Sequence, residues 1–103
     1  MNNGQFIQYI GNYRVHDGVI KKILQENDKV KVIMESMDKE EISIEFYGVK
    51  SIKSFNAEGM MLYSISEMKT DAPFREFIFT NWDDDGDEFL DIIAKEYNYI
   101  DNN

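Results

Sequence analysis

Apolar and polar side chains alternate through the middle of the chain. In "VKVIMES", residues 30–36, Val30, Val32 and Met34 share one face; in "ISIEF", 42–46, Ile42, Ile44 and Phe46 do so against Ser43 and Glu45. A period of two is that of a strand with one face on a core. The link "MDKEE" is short and polar, which suits an antiparallel hairpin. "GVIKKILQ", 18–25, precedes this pair and stops at the turn signal "END", so the simplest arrangement is a three-strand meander. "VKSIKSF", 49–55, alternates less cleanly and predicts a weaker strand. "FREFIFTN", 74–81, is strongly β-prone, with Phe77 and Phe79 on one face and Phe74 and Ile78 on the other. Apolar residues on both faces predict a central position in a sheet.

Three segments fit more than one template. "EGMMLYSISEM", 58–68, sets Met61, Ile65 and Met68 at helical spacing, while "LYSIS" has strand propensity. "EFLDIIAKEYNYI", 88–100, fits a helix through Phe89, Ile92, Ile93 and Tyr97, with acidic residues ahead of it where a helix N-terminus favours them. Its position after a turn-like loop and a strong strand favours instead the second arm of a hairpin, which is the reading adopted. "GQFIQYIG", 4–11, predicts a short N-terminal helix, because Phe6, Ile7, Tyr9 and Ile10 do not alternate. The pattern as a whole predicts a mainly β (β-rich α+β) fold, an antiparallel sheet or sandwich of about six or seven strands. One domain over 1–103 is expected, with a helical segment within 1–12 and a frayed tail at 101–103.

Composition narrows the chemistry. With 103 residues, 43% of them hydrophobic and 14% aromatic, the chain can bury a core without staples. Zero cysteines remove disulfides, thiolate catalysis and cysteine-based metal sites. The start, "MNNGQFIQYIGNYR", has neither the basic head nor the apolar stretch of a signal peptide, and no run is long enough to span a bilayer; a cytoplasmic location is the default expectation. The net charge is -9, and its distribution is uneven. Residues 1–75 hold eleven acidic and ten basic side chains, whereas 76–103 hold nine acidic ones (Glu76, Asp83, Asp84, Asp85, Asp87, Glu88, Asp91, Glu96, Asp101) against Lys95 alone. Such a field disfavours nucleic acid and anionic membrane and favours a basic protein surface.

The densest acidic stretch is "NWDDDGDEFL", 81–90. Set against a calcium loop, Asn81, Asp83, Asp85 and Gly86 occupy the first, third, fifth and sixth positions. The bidentate glutamate required at the twelfth position is Ile92, and the apolar eighth position is Glu88. Asn81, Asp83 and Asp85 are therefore only weak calcium candidates, beside the plainer alternative of a solvated turn. Trp82, the single tryptophan, borders this loop, and an aromatic anchor beside a charged rim is the composition of many interface hot spots. The predicted partner-binding set is accordingly Trp82, Asp83, Asp84, Asp85, Asp87 and Glu88.

Catalytic signals are poor. "VHDG", 15–18, holds the only histidine, so the multi-histidine metal sites of phosphohydrolases are out of reach. Six serines are present, none in a nucleophile elbow, and the six glycines form no phosphate cradle. No catalytic residue and no cofactor is predicted. Met60, Met61 and Met68, with Leu62, Tyr63 and Ile65, are read as core in preference to an adaptable binding face.

Through "HDGVIKKI", "VIMES", "ISIEFYGVKSI" and "FIFTNWDDDGDEFLDII" the chain resembles a loose set of small β-rich bacterial domains, some of which look like immunity proteins of polymorphic toxin systems. The similarity runs over about residues 13–100 on short, degenerate patterns. It implies an antiparallel β architecture and carries over no catalytic residue. The expected function is a non-enzymatic domain whose acidic C-terminal end meets a basic protein, immunity-like in the resemblance; the alternative is a calcium-dependent module on the 81–88 loop. A homodimer through an open sheet edge is compatible with the pattern but not demanded by it.

Overall fold

The alternating runs all become strands, and so do the three ambiguous segments. The computed structural model describes residues 5–11, 15–81 and 87–101. Its strands are β1 (Phe6–Tyr9), β2 (Val19–Glu26), β3 (Lys29–Glu35), β4 (Glu41–Tyr47), β5 (Ser51–Phe55), β6 (Leu62–Lys69), β7 (Arg75–Asn81), β8 (Phe89–Ala94) and β9 (Glu96–Asp101). Among the described residues there is no helix, hence none long and apolar enough to cross a membrane. The mainly β antiparallel fold expected from the pattern is the fold observed, with nine strands in place of about six or seven.

The strands form two antiparallel sheets. One is five-stranded in the order β1-β6-β7-β8-β5; the other is four-stranded in the order β2-β3-β4-β9. β2, β3 and β4 make the expected meander, and β7 is the central strand of its sheet. The β2–β3 turn is Asn27–Asp28, where Asn27 takes a φ of 54°, a region that asparagine tolerates. In the β3–β4 turn the Ser36 hydroxyl accepts hydrogen bonds from the Asp38 and Glu40 amides, 3.2 Å each. A polar side chain there supplies bonds that the ladder no longer can.

Two corners join the sheets. At the first, β4–β5 and β8–β9 form one long two-stranded ribbon that bends from one sheet into the other. Gly48 (φ 65°) lies at the bend of one arm and Lys95 at that of the other. The Lys95 amide donates to Tyr47 O at 3.0 Å and the Lys50 amide to Ile93 O at 2.8 Å, so pairing resumes on either side. At the second corner the start of β2 meets the approach to β6: the Leu62 amide donates to Gly18 O at 2.7 Å and the Ile20 amide to Met60 O at 3.0 Å.

A single core lies between the inner faces. Ile20, Val30, Val32, Met34, Ile42, Ile44 and Phe46 from one sheet face Leu62, Ile65, Phe77, Phe79, Leu90 and Ile92 from the other. Phe46 sits at the junction, its ring centroid 5.0 Å from that of Phe77 and 6.0 Å from that of Phe79. Offset and edge-on ring pairs at these separations add to area burial. One side of the sandwich is closed by ionic groups. Glu67, 4% exposed, accepts from Arg75 Nε at 2.7 Å and Nη2 at 2.9 Å, and from Gln8 Nε2 at 2.9 Å. The Arg75 guanidinium also lies over the rings of Tyr97 and Phe77, at 5.3 and 5.4 Å.

The expected N-terminal helix is corrected by this pairing. Residues 6–9 form a strand on the edge of the five-stranded sheet, and the register shifts between Phe6 and Gln8. That bulge places Phe6 and Tyr9 on one face, rings 4.9 Å apart, and produces the broken alternation that reads as helical in the sequence. At the other end Asp101 is still paired, opposite Ile42, so the ladder extends into the expected tail. The methionine segment divides: Met60 is buried in the core, whereas Met61 is 44% exposed.

Candidate functional site

The outer faces of the two sheets differ in chemistry. On the four-stranded sheet, pairing sets Lys22 beside Ile33, Leu24 beside Lys31 and Glu45, and Glu26 beside Lys29 and Tyr47. Opposite charges meet directly: Lys29 Nζ is 3.4 Å from Glu45 Oε2, and the Tyr47 hydroxyl donates to the same carboxylate. The hydroxyl bond and Lys29 hold the Glu45 carboxyl below its usual range despite some desolvation. This is an ordinary solvated strand face, mixed in sign.

The five-stranded sheet turns a different face outward. Its cross-strand rows are Phe6, Met68, Glu76, Ile93 and Ser51; then Tyr9, Ser66, Ile78, Asp91 and Lys53; then Ser64, Thr80, Phe89 and Phe55. These rows follow from the alternation that sends Phe77, Phe79, Leu90 and Ile92 inward. Four rings stand open to solvent: Phe6 at 48%, Tyr9 at 62%, Phe55 at 50% and Phe89 at 39% exposure. Single exposed apolar residues are normal, but several on one sheet face form a patch of the kind that marks contact sites.

Two carboxyls lie at the middle of this patch. Glu76 on β7 is 3% exposed, and Asp91 on β8 stands diagonally from it, one strand over. Asp91 Oδ1 is shielded from water and has no hydrogen-bond partner among the described residues. Burial, then the hydrogen bond and charge of Glu76, push the Asp91 carboxyl up to about 7, against a smaller opposing pull from Lys53. Two adjacent carboxyls out of water hold a proton between them more readily than two charges.

The residues predicted for partner contact are only partly placed. Trp82, Asp83, Asp84 and Asp85 lie outside the described residues. Asp87 is exposed, and Glu88 is half-buried, accepting a hydrogen bond from the Asn81 side chain. Of the calcium candidates, Asn81 is thus engaged with Glu88, and Asp83 and Asp85 lie outside the described residues. No group of three or more His, Asp or Glu able to hold a metal occurs among the described residues.

His16 lines a shallow groove of about 280 Å³ with Tyr9, Tyr63 and Ser64. Its Nδ1 is 2.9 Å from the Tyr63 carbonyl oxygen, which can only accept, so this nitrogen carries a hydrogen and donates it. Asp17 Oδ1 lies 3.9 Å from Nε2. In a Ser-His-Asp arrangement the carboxylate orients Nδ1 and the serine faces Nε2, the reverse of the positions taken here by the carbonyl and Asp17.

Glu76 and Asp91 belong to the acidic C-terminal excess, and the sequence reading assigns neither to a site. The signal that could have found them is local. In "REFIFT" and "FLDIIA" each carboxyl interrupts a β-prone run at a position that alternation sends to the outer face, where its neighbours two residues away are apolar. No protein family, curated protein or solved structure matches this chain, so its reading rests on the geometry just described.

Proposed function

We propose that this chain is a non-enzymatic protein-binding domain that uses the outer face of its five-stranded sheet to hold a basic protein partner, the acidic excess of its C-terminal portion supplying the attraction. The observation that carries the reading is the contrast between the two outer faces: one mixed in charge and internally paired, the other presenting Phe6, Tyr9, Phe55 and Phe89 around two carboxyls. An exposed aromatic patch has the composition of a recognition surface, and the net charge of -9 supplies long-range attraction for a basic partner. The immunity-like role implied by the resemblance is one form of this function, with a basic toxin domain as the partner.

The test is retention of proteins from host lysate on immobilised wild-type chain and on the Phe55→Thr/Phe89→Thr variant. Threonine keeps strand propensity while removing the rings. A discrete partner is expected on the wild type, weakened by salt and reduced by about tenfold on the variant, since aromatic anchors dominate such surfaces. Equal retention by both would overturn the assignment of the face.

A further inference from the structure

Four strands stand at sheet edges, β1 and β5 in the five-stranded sheet and β2 and β9 in the four-stranded one. An edge presents unpaired backbone groups to any further strand, and proteins blunt it with charge, proline, a bulge or a covering segment. Three of the four carry charge. β5 has Lys53, and β9 has Glu96 and Asp101. β2 has Lys21, Lys22 and Glu26; its start is bonded to the backbone of Gly59 and Met60, and its Ile23 amide donates to Glu58 Oε2 at 2.9 Å. β1, "FIQY", has neither charge nor proline, and apart from its shortness only the bulge between Phe6 and Gln8 protects it.

We propose that β1 is a self-association strand, along which two copies of this chain pair antiparallel and join their five-stranded sheets across a two-fold axis. The backbone is turned the right way. The Lys69 amide donates to Gln5 O at 2.7 Å and the Ile10 amide to Ile65 O at 2.9 Å, so Gln5 and Ile10 spend these groups on β6. Strand alternation then points the amide and carbonyl of Tyr9 away from β6, toward the open edge. The side chains are exposed as well: Phe6 by 48%, Ile7 by 49% and Tyr9 by 62%. A register that sets Phe6 of one copy opposite Tyr9 of the other obeys the two-fold and gathers four rings on the outer face, where cross-strand aromatic pairs are stabilising.

Charge selects a second copy as the occupant. Residues 1–13 hold no charged side chain, the longest such run in a chain of net charge -9. Two-fold pairing of β5 would bring two Lys53 side chains close, and that of β9 would gather carboxylates, whereas β1 sets no like charges together. A basic partner gains nothing from an uncharged strand. Covering the exposed half of three large side chains removes roughly 300 Å² per copy, well under the ~800 Å² of a standard interface, so the dimer is weak and reversible. Phe55 and Phe89 lie toward the opposite edge of the sheet, so the inference does not rest on the partner reading above.

Sedimentation velocity of the full-length chain, from about 10 μM to about 1 mM, should show a dimer with a dissociation constant on the order of 100 μM. Added salt should tighten it several-fold, because screening relieves the repulsion between two copies of net charge -9. Ile7→Glu and Tyr9→Glu set like charges near the two-fold axis, and each should leave only monomer over that range. Both positions are exposed, so thermal midpoints should stay close to wild type. Phe55→Thr/Phe89→Thr should dimerise as wild type does. Amide exchange reads the same contact without any substitution: the Tyr9 amide of wild type should exchange more slowly at the high end of the range. A monomer throughout, a dimer weakened by salt, or one that both glutamate variants leave intact overturns the proposal. So does a dimer lost in the ring variant, which would put self-association on the outer face, or a wild-type dimer whose Tyr9 amide exchanges at the monomer's rate.

Discussion

At the scale of single residues, the carboxyls divide into two kinds with opposite pH behaviour. Glu67 is held by Arg75 and Gln8, which keep its carboxyl below the usual 4.5 although burial opposes them. Its contribution is present above that value and is lost as the pH falls. Asp91 is the reverse case, raised from 3.8 to about 7. Between those limits the folded chain keeps a proton that the unfolded chain releases, so stability falls as the pH rises through the window. Melting midpoints measured from pH 4 to pH 8 should therefore decline toward the alkaline end. Asp91→Asn should flatten that decline and be more stable than wild type at pH 8, by about 1–2 kcal/mol once partial solvent screening is allowed for. For a chain of this length that is a shift of roughly 4–8 °C per kcal/mol. A wild-type midpoint that climbed from pH 5 to pH 8, with Asp91→Asn following it, would contradict the assignment.

At the scale of elements, the bent ribbon matters more than any single hairpin, because it lets one pair of strands belong to both sheets. Gly48 takes a φ of 65°, and a Cβ there would lie 2.9 Å from Lys95 Cδ and 3.2 Å from Lys95 Cβ. Gly48→Ala combines left-handed backbone strain with a contact that the Lys95 stem relieves only in part. Its expected cost is about 1–2 kcal/mol, read from the urea midpoint at unchanged slope. Gly59 is the internal control. It too has a positive φ, 94°, but nothing lies within 4 Å of its Cβ position, so Gly59→Ala tests the backbone component without the steric one. The same ribbon explains why 88–100 resists a reading by periodicity. Phe89, Ile92, Ile93 and Tyr97 imitate a helical stripe because a residue at the bend, Lys95, interrupts two strands that each alternate correctly.

At the scale of the molecule, the two sheets are held by one shared core, and Phe46 is a fully buried ring within it, with Phe77, Phe79 and Tyr97 around it. Phe46→Ala should cost about 3–5 kcal/mol, a large share of the 5–15 kcal/mol typical of a domain, and chemical denaturation of the purified variant checks it. A loss well under 1 kcal/mol would mean that the sheets are held together elsewhere. The asymmetry of the outer faces belongs to this scale as well. Lys29, Lys31 and Glu45 are settled among themselves on one side, while the other side gathers aromatic rings from β1, β5 and β8, strands far apart in the chain. No segment of sequence contains that face. The acids of the window 81–90 stand close together in the chain, whereas Glu76 and Asp91 are fifteen positions apart and meet only through the β7–β8 register.

The sequence alone determined the alternation, and with it the strands β2, β3, β4 and β7, the meander and the all-antiparallel character. Side-chain period and turn chemistry are local properties, written within a few residues of where they act. It determined as well the acidic excess after residue 75 and the closure of thiol and multi-histidine metal chemistry. Tertiary structure decided what depends on a partner strand: the bulge that turns 6–9 into an edge strand, the corner at Gly48 and Lys95, and the pairing of Glu76 with Asp91. Register and long-range pairing are set by packing energy summed over the whole core, and a shift of one residue reverses every side chain in a strand. Which carboxyls are drawn together out of water follows from that register, and the linear pattern shows only that Glu76 and Asp91 each interrupt an apolar run.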